Sequence, residues 1–125
     1  MKVLVVEDDR DIQDLVVAIL GREGYDVRAE DEGSAGLSAA LTRDPDLVIL
    51  DWMMPGMSGV DVCRAIRADP HAKDVPVLML TSKAHEADID QAFAAGADDY
   101  MVKPFRGREL VSRVKALAAL ERPRP

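Results

Sequence analysis

Acids, a hydroxyl and a lysine stand directly after short apolar runs of this chain. Glu7, Asp8 and Asp9 follow residues 3–6, Asp51 follows residues 47–50, Thr81 and Ser82 follow residues 77–80, and Lys103 follows residues 99–102. Carboxylates packed together repel, and each resists ionising alone. A hard divalent cation relieves that repulsion, and Mg²⁺ takes oxygen ligands while keeping some of its waters. Lys103 adds a fixed positive charge. Mg²⁺, an ammonium and a hydroxyl together make a receptor for phosphoryl oxygens. A carboxylate facing such a receptor can act as a nucleophile and form an aspartyl phosphate.

These residues work together only if the fold brings them to one place. The runs 3–6, 47–50 and 77–80 are continuous rather than alternating, which suits strands buried on both faces. Weaker strand candidates lie at 26–29 and 99–102. Helical stripes fill the gaps. Ile12, Leu15, Val16, Ile19 and Leu20 form the first, with Gly21 and Gly24 expected to stop it. Ala35, Leu37, Ala40 and Leu41 form the second, with Asp44-Pro45 beyond its end. A third helix is expected near 60–68 with Cys63 and Ile66 inward, and a fourth over 86–95 ending at Gly96. The fifth, over 108–120, carries Leu110, Val111, Val114 and Leu117. Five strand–helix units predict a parallel α/β sheet with right-handed crossovers, too few to close an eight-fold barrel. The expected fold is a doubly wound five-stranded parallel sheet with five helices. In such a sheet, ligands bind at the carboxyl ends of the strands, which is where the acids, Thr81 and Lys103 fall.

Bulk properties narrow the function classes. The chain has 125 residues, the size of one domain, with 23 acidic against 16 basic residues and a net charge of −7. That balance argues against direct nucleic-acid binding, which needs a basic footprint. It fits a cation site or a basic partner surface. The single cysteine, Cys63, forms no internal disulfide, and the first apolar run is too short for a signal peptide or a membrane span. The expected location is cytoplasmic. Residues 1–120 are read as the domain and the Pro- and Arg-rich 121–125 as a flexible tail or linker stub.

The chain resembles the response-regulator receiver family of two-component signal transduction. The resemblance runs from Met1 to about Leu120 and rests on five segments in order. They are Val5-Val6-Glu7-Asp8-Asp9, Leu50-Asp51-Trp52-Met53-Met54-Pro55-Gly56, Leu80-Thr81-Ser82, Gly96-Ala97-Asp98-Asp99-Tyr100 and Lys103-Pro104-Phe105. It implies a flavodoxin-like receiver fold. Asp51 is then the phosphoacceptor, supplied by a sensor histidine kinase or a phosphotransfer protein. Asp8 would ligate Mg²⁺ directly, Glu7 through water, and Asp51 and the Met53 backbone carbonyl would complete the protein's share. Thr81 would bond a phosphoryl oxygen, and Lys103 would pair with the phosphoryl group and, before it arrives, with Asp51. Lys103-Pro104 is expected to be cis. Tyr100 is the aromatic switch expected to follow Thr81 inward and reshape the face of the fourth helix, fifth strand and fifth helix. The fifth-helix segment resembles receivers that precede winged-helix DNA-binding domains. Asp98, Asp99, Glu109 and Arg113 fit the charges by which such receivers dimerise, while Ile89 stands where a basic partner is expected.

Plainer roles are assigned to the other residues. Asp9 is the expected cap of the first helix, and Cys63 is core. His71 and His85 carry no catalytic role, because the family's donor histidine belongs to the kinase. Met53 and Lys83, two residues beyond Asp51 and Thr81, orient attacking water poorly, so the phosphorylated state is expected to be long-lived. Two rivals remain. A Mg²⁺-dependent phosphohydrolase with an aspartate nucleophile would want a second acid where Met53 stands. A pseudo-receiver that only binds partners would not need Glu7, Asp8, Asp51, Thr81 and Lys103 intact.

Overall fold

The computed structural model describes residues 1–82 and 86–120. Its elements alternate throughout: β1 (Lys2–Val6), α1 (Arg10–Arg22), β2 (Asp26–Glu30), α2 (Gly33–Thr42), β3 (Leu47–Asp51), α3 (Gly59–Ala68), β4 (Val77–Thr81), α4 (Glu86–Ala94), β5 (Asp99–Val102) and α5 (Gly107–Ala118). The strands form one parallel sheet in the order β2-β1-β3-β4-β5. The order reverses at β1, and the switch point lies between β1 and β3, where this kind of sheet opens a crevice.

Alternating side chains of the buried strands feed two cores. Val3, Val5, Leu47, Ile49, Leu78 and Leu80 pack with Val16 and Leu20 of α1 and with Leu110, Val114 and Leu117 of α5. Leu4, Val6, Val48, Leu50, Val77 and Met79 pack on the other face with α2, α3 and α4, where Cys63 and Ile66 are fully buried. Both faces are therefore covered, which is why β3 and β4 carry no polar residue before their last position.

Caps fix where the helices begin. Asp9 accepts hydrogen bonds from the backbone N–H groups of Asp11 and Ile12, as expected of an N-cap. Ser58 and Asp61 form a reciprocal capping box at the start of α3. Gly96 takes φ +109, a conformation that ends the α4 turn and suits glycine alone.

Two expectations about α1 need correction. Leu15 is 49% exposed, because only Val16, Leu20 and the polar Gln13 turn fully inward while Ile12 and Ile19 flank them. The apolar stripe is wider than the face the sheet can cover. Gly21 does not stop the helix but lies inside it, and the chain turns at Gly24 instead. Residues 121–125, Lys83 and His85 lie outside the described residues.

Candidate functional site

Asp51 ends β3 and is 3% exposed. It sits deep because the chain beyond it is packed back on the sheet. Trp52 N donates to Leu80 O at 3.3 Å, and Gly59 N donates to Trp52 O at 2.9 Å. A Cβ on Gly59 would stand 2.2 Å from Asp51 O, so only glycine lets α3 start this close to the end of β3. Trp52 and Met54 are buried beside it, whereas the Met53 side chain is 57% exposed on the loop.

Glu7 leaves the end of β1 and is 1% exposed; Asp8 beside it is open to solvent. Glu7 Oε2 accepts a hydrogen bond from Asp9 N at 3.2 Å. Carboxylate oxygens of Glu7, Asp8 and Asp51 all lie within 4.8 Å of one another. The set offers only hard oxygen donors, two of them buried and one at the solvent side. It fits a hard cation that keeps some of its waters, and it lacks the sulfur or imidazole that softer metals favour.

Lys103 reaches this cluster from the end of β5. Its Nζ lies 2.6 Å from Glu7 Oε1 and 3.2 Å from Asp51 Oδ1. The ammonium thus bridges two acids, and it is nearer to Glu7 than to the expected partner Asp51. Its backbone N donates to Thr81 O at 2.8 Å, and the following Lys103-Pro104 bond is cis as expected. Thr81 is fully buried at the end of β4, in register with Val102.

Burial and the adjoining Glu7 carboxylate push the Asp51 carboxyl up to about 8, against the pull of Lys103. Burial alone would loosen the Lys103 proton, but Glu7 and Asp51 outweigh it and hold the ammonium above the ordinary lysine range. The cluster therefore has fewer positive charges than its acids call for.

Residues 3–115 match the response regulator receiver domain family. The chain belongs to that family. Among similar curated proteins is the DNA-binding response regulator MtrA of Mycolicibacterium smegmatis. It is 45% identical over 115 residues, which cover 92% of this chain and 49% of MtrA. The receiver chain spans about half the length of the curated relatives it matches. A crystal structure from Chloroflexus aurantiacus, assigned as a response regulator, superposes with a TM-score of 0.91 at 36% identity, covering 95% of this chain and 98% of that one. The receiver domain of the sensor histidine kinase PA1611 from Pseudomonas aeruginosa superposes at TM-score 0.89 and 29% identity, covering 95% of this chain and 98% of that one. That structure holds a magnesium ion in its active site cleft. Receiver domains are phosphorylation-dependent switches that meet histidine kinases and output domains. No helix among the described residues is long and apolar enough to cross a membrane.

The fold brings Glu7, Asp8, Asp51, Thr81 and Lys103 to one edge of this receiver's sheet. Tyr100 lies apart from them in the α2–α4 core, already 7% exposed, and its hydroxyl has no hydrogen-bond partner among the described residues. The charges expected to meet a second copy are paired within the chain. Arg113 donates to both Asp99 oxygens at 2.9 and 3.0 Å and to Glu109 at 3.4 Å, while Asp98 accepts from Arg67 at 2.9 Å. Ile89 packs against the α2–α4 core. His71 pairs with Asp44 away from these acids, on an exposed surface. Sequence reasoning missed Gln13, Gly59 and Arg67. Gly59 alone left a signal, a glycine directly after a capping serine, where most residues would start a helix better.

Proposed function

We propose that Asp51 accepts a phosphoryl group from a histidine kinase or phosphotransfer protein, and that the resulting charge switches the face presented to an output partner or effector domain. The observation that carries this reading is the bridge of Lys103 across Glu7 and Asp51, at 2.6 and 3.2 Å, beside an open-sided acidic trio. Glu7, Asp8, Asp51 and the Met53 carbonyl are the residues that would hold Mg²⁺. When bound, the ion neutralises the acids and the phosphoryl oxygens.

The protein's own residues do the rest. Asp51 releases its proton to solvent and attacks phosphorus as the carboxylate; the new P–O bond forms, and the bond to the donor breaks with its electron pair leaving on the donor nitrogen. Lys103 then exchanges the Asp51 oxygen for a phosphoryl oxygen, since Nζ already sits within reach of both acids. Thr81 supplies a hydroxyl to a second phosphoryl oxygen. Phosphorylation adds negative charge and acceptors at the ends of β3, β4 and β5, which favours an alternative arrangement of the α4–β5–α5 face. Tyr100 is buried already, so its part is to hold that face rather than to enter it from solvent. Pairing between two copies through this face requires Arg113 to exchange Asp99 within the chain for a partner's acid.

The phosphohydrolase reading is weakened by Met53, whose exposed thioether side chain supplies no proton to a leaving group. With no side chain there to orient water, the phosphorylated state is long-lived; a lifetime of seconds at neutral pH with Mg²⁺ would contradict that. An acyl phosphate is cleaved by hydroxylamine whereas a phosphoester is not. Label transferred from acetyl phosphate should be lost on hydroxylamine treatment, and label that survives would exclude a carboxylate acceptor.

A further inference from the structure

Gln13 is a buried amide on a helix face otherwise lined by Val16 and Leu20. A polar side chain in such a place must be hydrogen-bonded. Its Nε2 donates to Glu7 O at 3.1 Å and to Glu30 O at 3.3 Å. Glu7 N also donates to Glu30 O, at 3.0 Å. One amide group of α1 thus ties together the ends of β1 and β2. The carbonyl it holds just past β1 belongs to the peptide between Glu7 and Asp8, from which both acids hang. A thioether or a carboxylate of similar length has no N–H to offer either carbonyl.

We infer that Gln13 is a positioning residue for the acidic site. Its amide holds the Glu7–Asp8 peptide plane, and so sets the directions in which the two side chains leave the chain toward Asp51. The consequence for Mg²⁺ rests on the metal reading above; the consequence for the backbone does not. Partners that orient metal ligands change affinity by roughly 10–100-fold when lost.

The test compares Gln13→Met, similar in volume but without a donor, with Val16→Ala, which weakens the same helix face but gives up no hydrogen bond to Glu7 or Glu30. Two quantities are measured: the exchange rate of the Glu7 backbone amide relative to that of Ile49 in metal-free protein, and the Mg²⁺ dissociation constant from Trp52 fluorescence. Gln13→Met is expected to speed Glu7 exchange relative to Ile49 and to weaken Mg²⁺ binding by about tenfold. Val16→Ala should change neither. Unchanged values in Gln13→Met, or equal losses in Val16→Ala, overturn the inference. If Gln13→Met does not fold, Gln13→Asn, which keeps the amide but shortens its reach, carries the same two readouts. A wild type that binds no Mg²⁺ would defeat the metal reading instead, and the exchange ratio alone would then decide the role of Gln13.

Discussion

Lys103 Nζ stands 2.6 Å from Glu7 Oε1, closer than its 3.2 Å separation from Asp51 Oδ1, so the lysine, which follows β5, has its first duty in the resting domain to the buried acid that follows β1. Removing one partner of such a pair leaves the other charged and dry. Lys103→Met should cost about 2 kcal/mol of stability at pH 8. The loss should be smaller at pH 5, where the raised Asp51 carboxyl holds its proton. Urea unfolding at the two pH values checks this, and a loss independent of pH would mean the lysine stabilises by packing alone.

Asp51 titrates in the opposite sense to an ordinary paired acid. Its carboxyl is raised from 3.8 to about 8 by burial and by Glu7. Between those values the unfolded chain has released the proton that the folded chain keeps, so folding takes up a proton and stability falls as pH rises through that window. Asp51→Asn cannot ionise and escapes the loss. In chelator, its Tm should exceed that of the wild type by on the order of 5 °C at pH 8 and match it near pH 4. Saturating Mg²⁺ should narrow the gap at pH 8. Parallel curves of Tm against pH would show that Asp51 is not held protonated.

Gly59 is the reason Asp51 can be both at a strand end and buried. Gly59→Ala places a methyl group 2.2 Å from Asp51 O, and backbone rather than a flexible tip must yield. A destabilisation of about 2–3 kcal/mol is expected, together with weaker Mg²⁺ binding as the β3–α3 junction opens. A variant as stable as the wild type would mean the helix start shifts freely.

Arg67 and Arg113 look alike in sequence, but their settings differ. Arg67 donates to the carbonyls of Lys73, Val75 and Gly96 and to Asp98, clasping α3 to the start of β4 and the α4–β5 turn. Among the described residues Arg113 donates to the acids Asp99 and Glu109 on the surface side of β5 and α5. Arg67→Met should cost about 2–4 kcal/mol and Arg113→Met about 1 kcal/mol or less. Equal losses in urea unfolding would contradict the distinction.

The three central strands and the edge on which the acids gather were legible because strands buried on both faces write themselves as unbroken apolar runs, and a parallel sheet puts every strand end on one side. That placed Glu7, Asp8, Asp9 and Asp51 together, and the resemblance to the receiver family singled out Glu7, Asp8 and Asp51 among them. What was not legible depends on contacts distant in sequence. Leu15 satisfies the helical stripe as well as Val16 does, yet only the packing angle of α1 decides which one is buried. Gln13 reads as a surface residue until β2 is known to end beside β1. Arg67 reads as one charge among many until Gly96 and Asp98 fold back onto it. The preference of Lys103 for Glu7 is likewise a matter of a few tenths of an ångström that no spacing encodes.

Asp51 is the proposed phosphoacceptor, and intact mass after incubation with acetyl phosphate decides whether it is. The wild type should gain one phosphoryl adduct with Mg²⁺ present and none in chelator, and Asp51→Asn should gain none under either condition. An adduct that persists in Asp51→Asn would place the acceptor elsewhere, and a wild type that binds Mg²⁺ yet gains no adduct would make the domain a partner-binding module independent of phosphate.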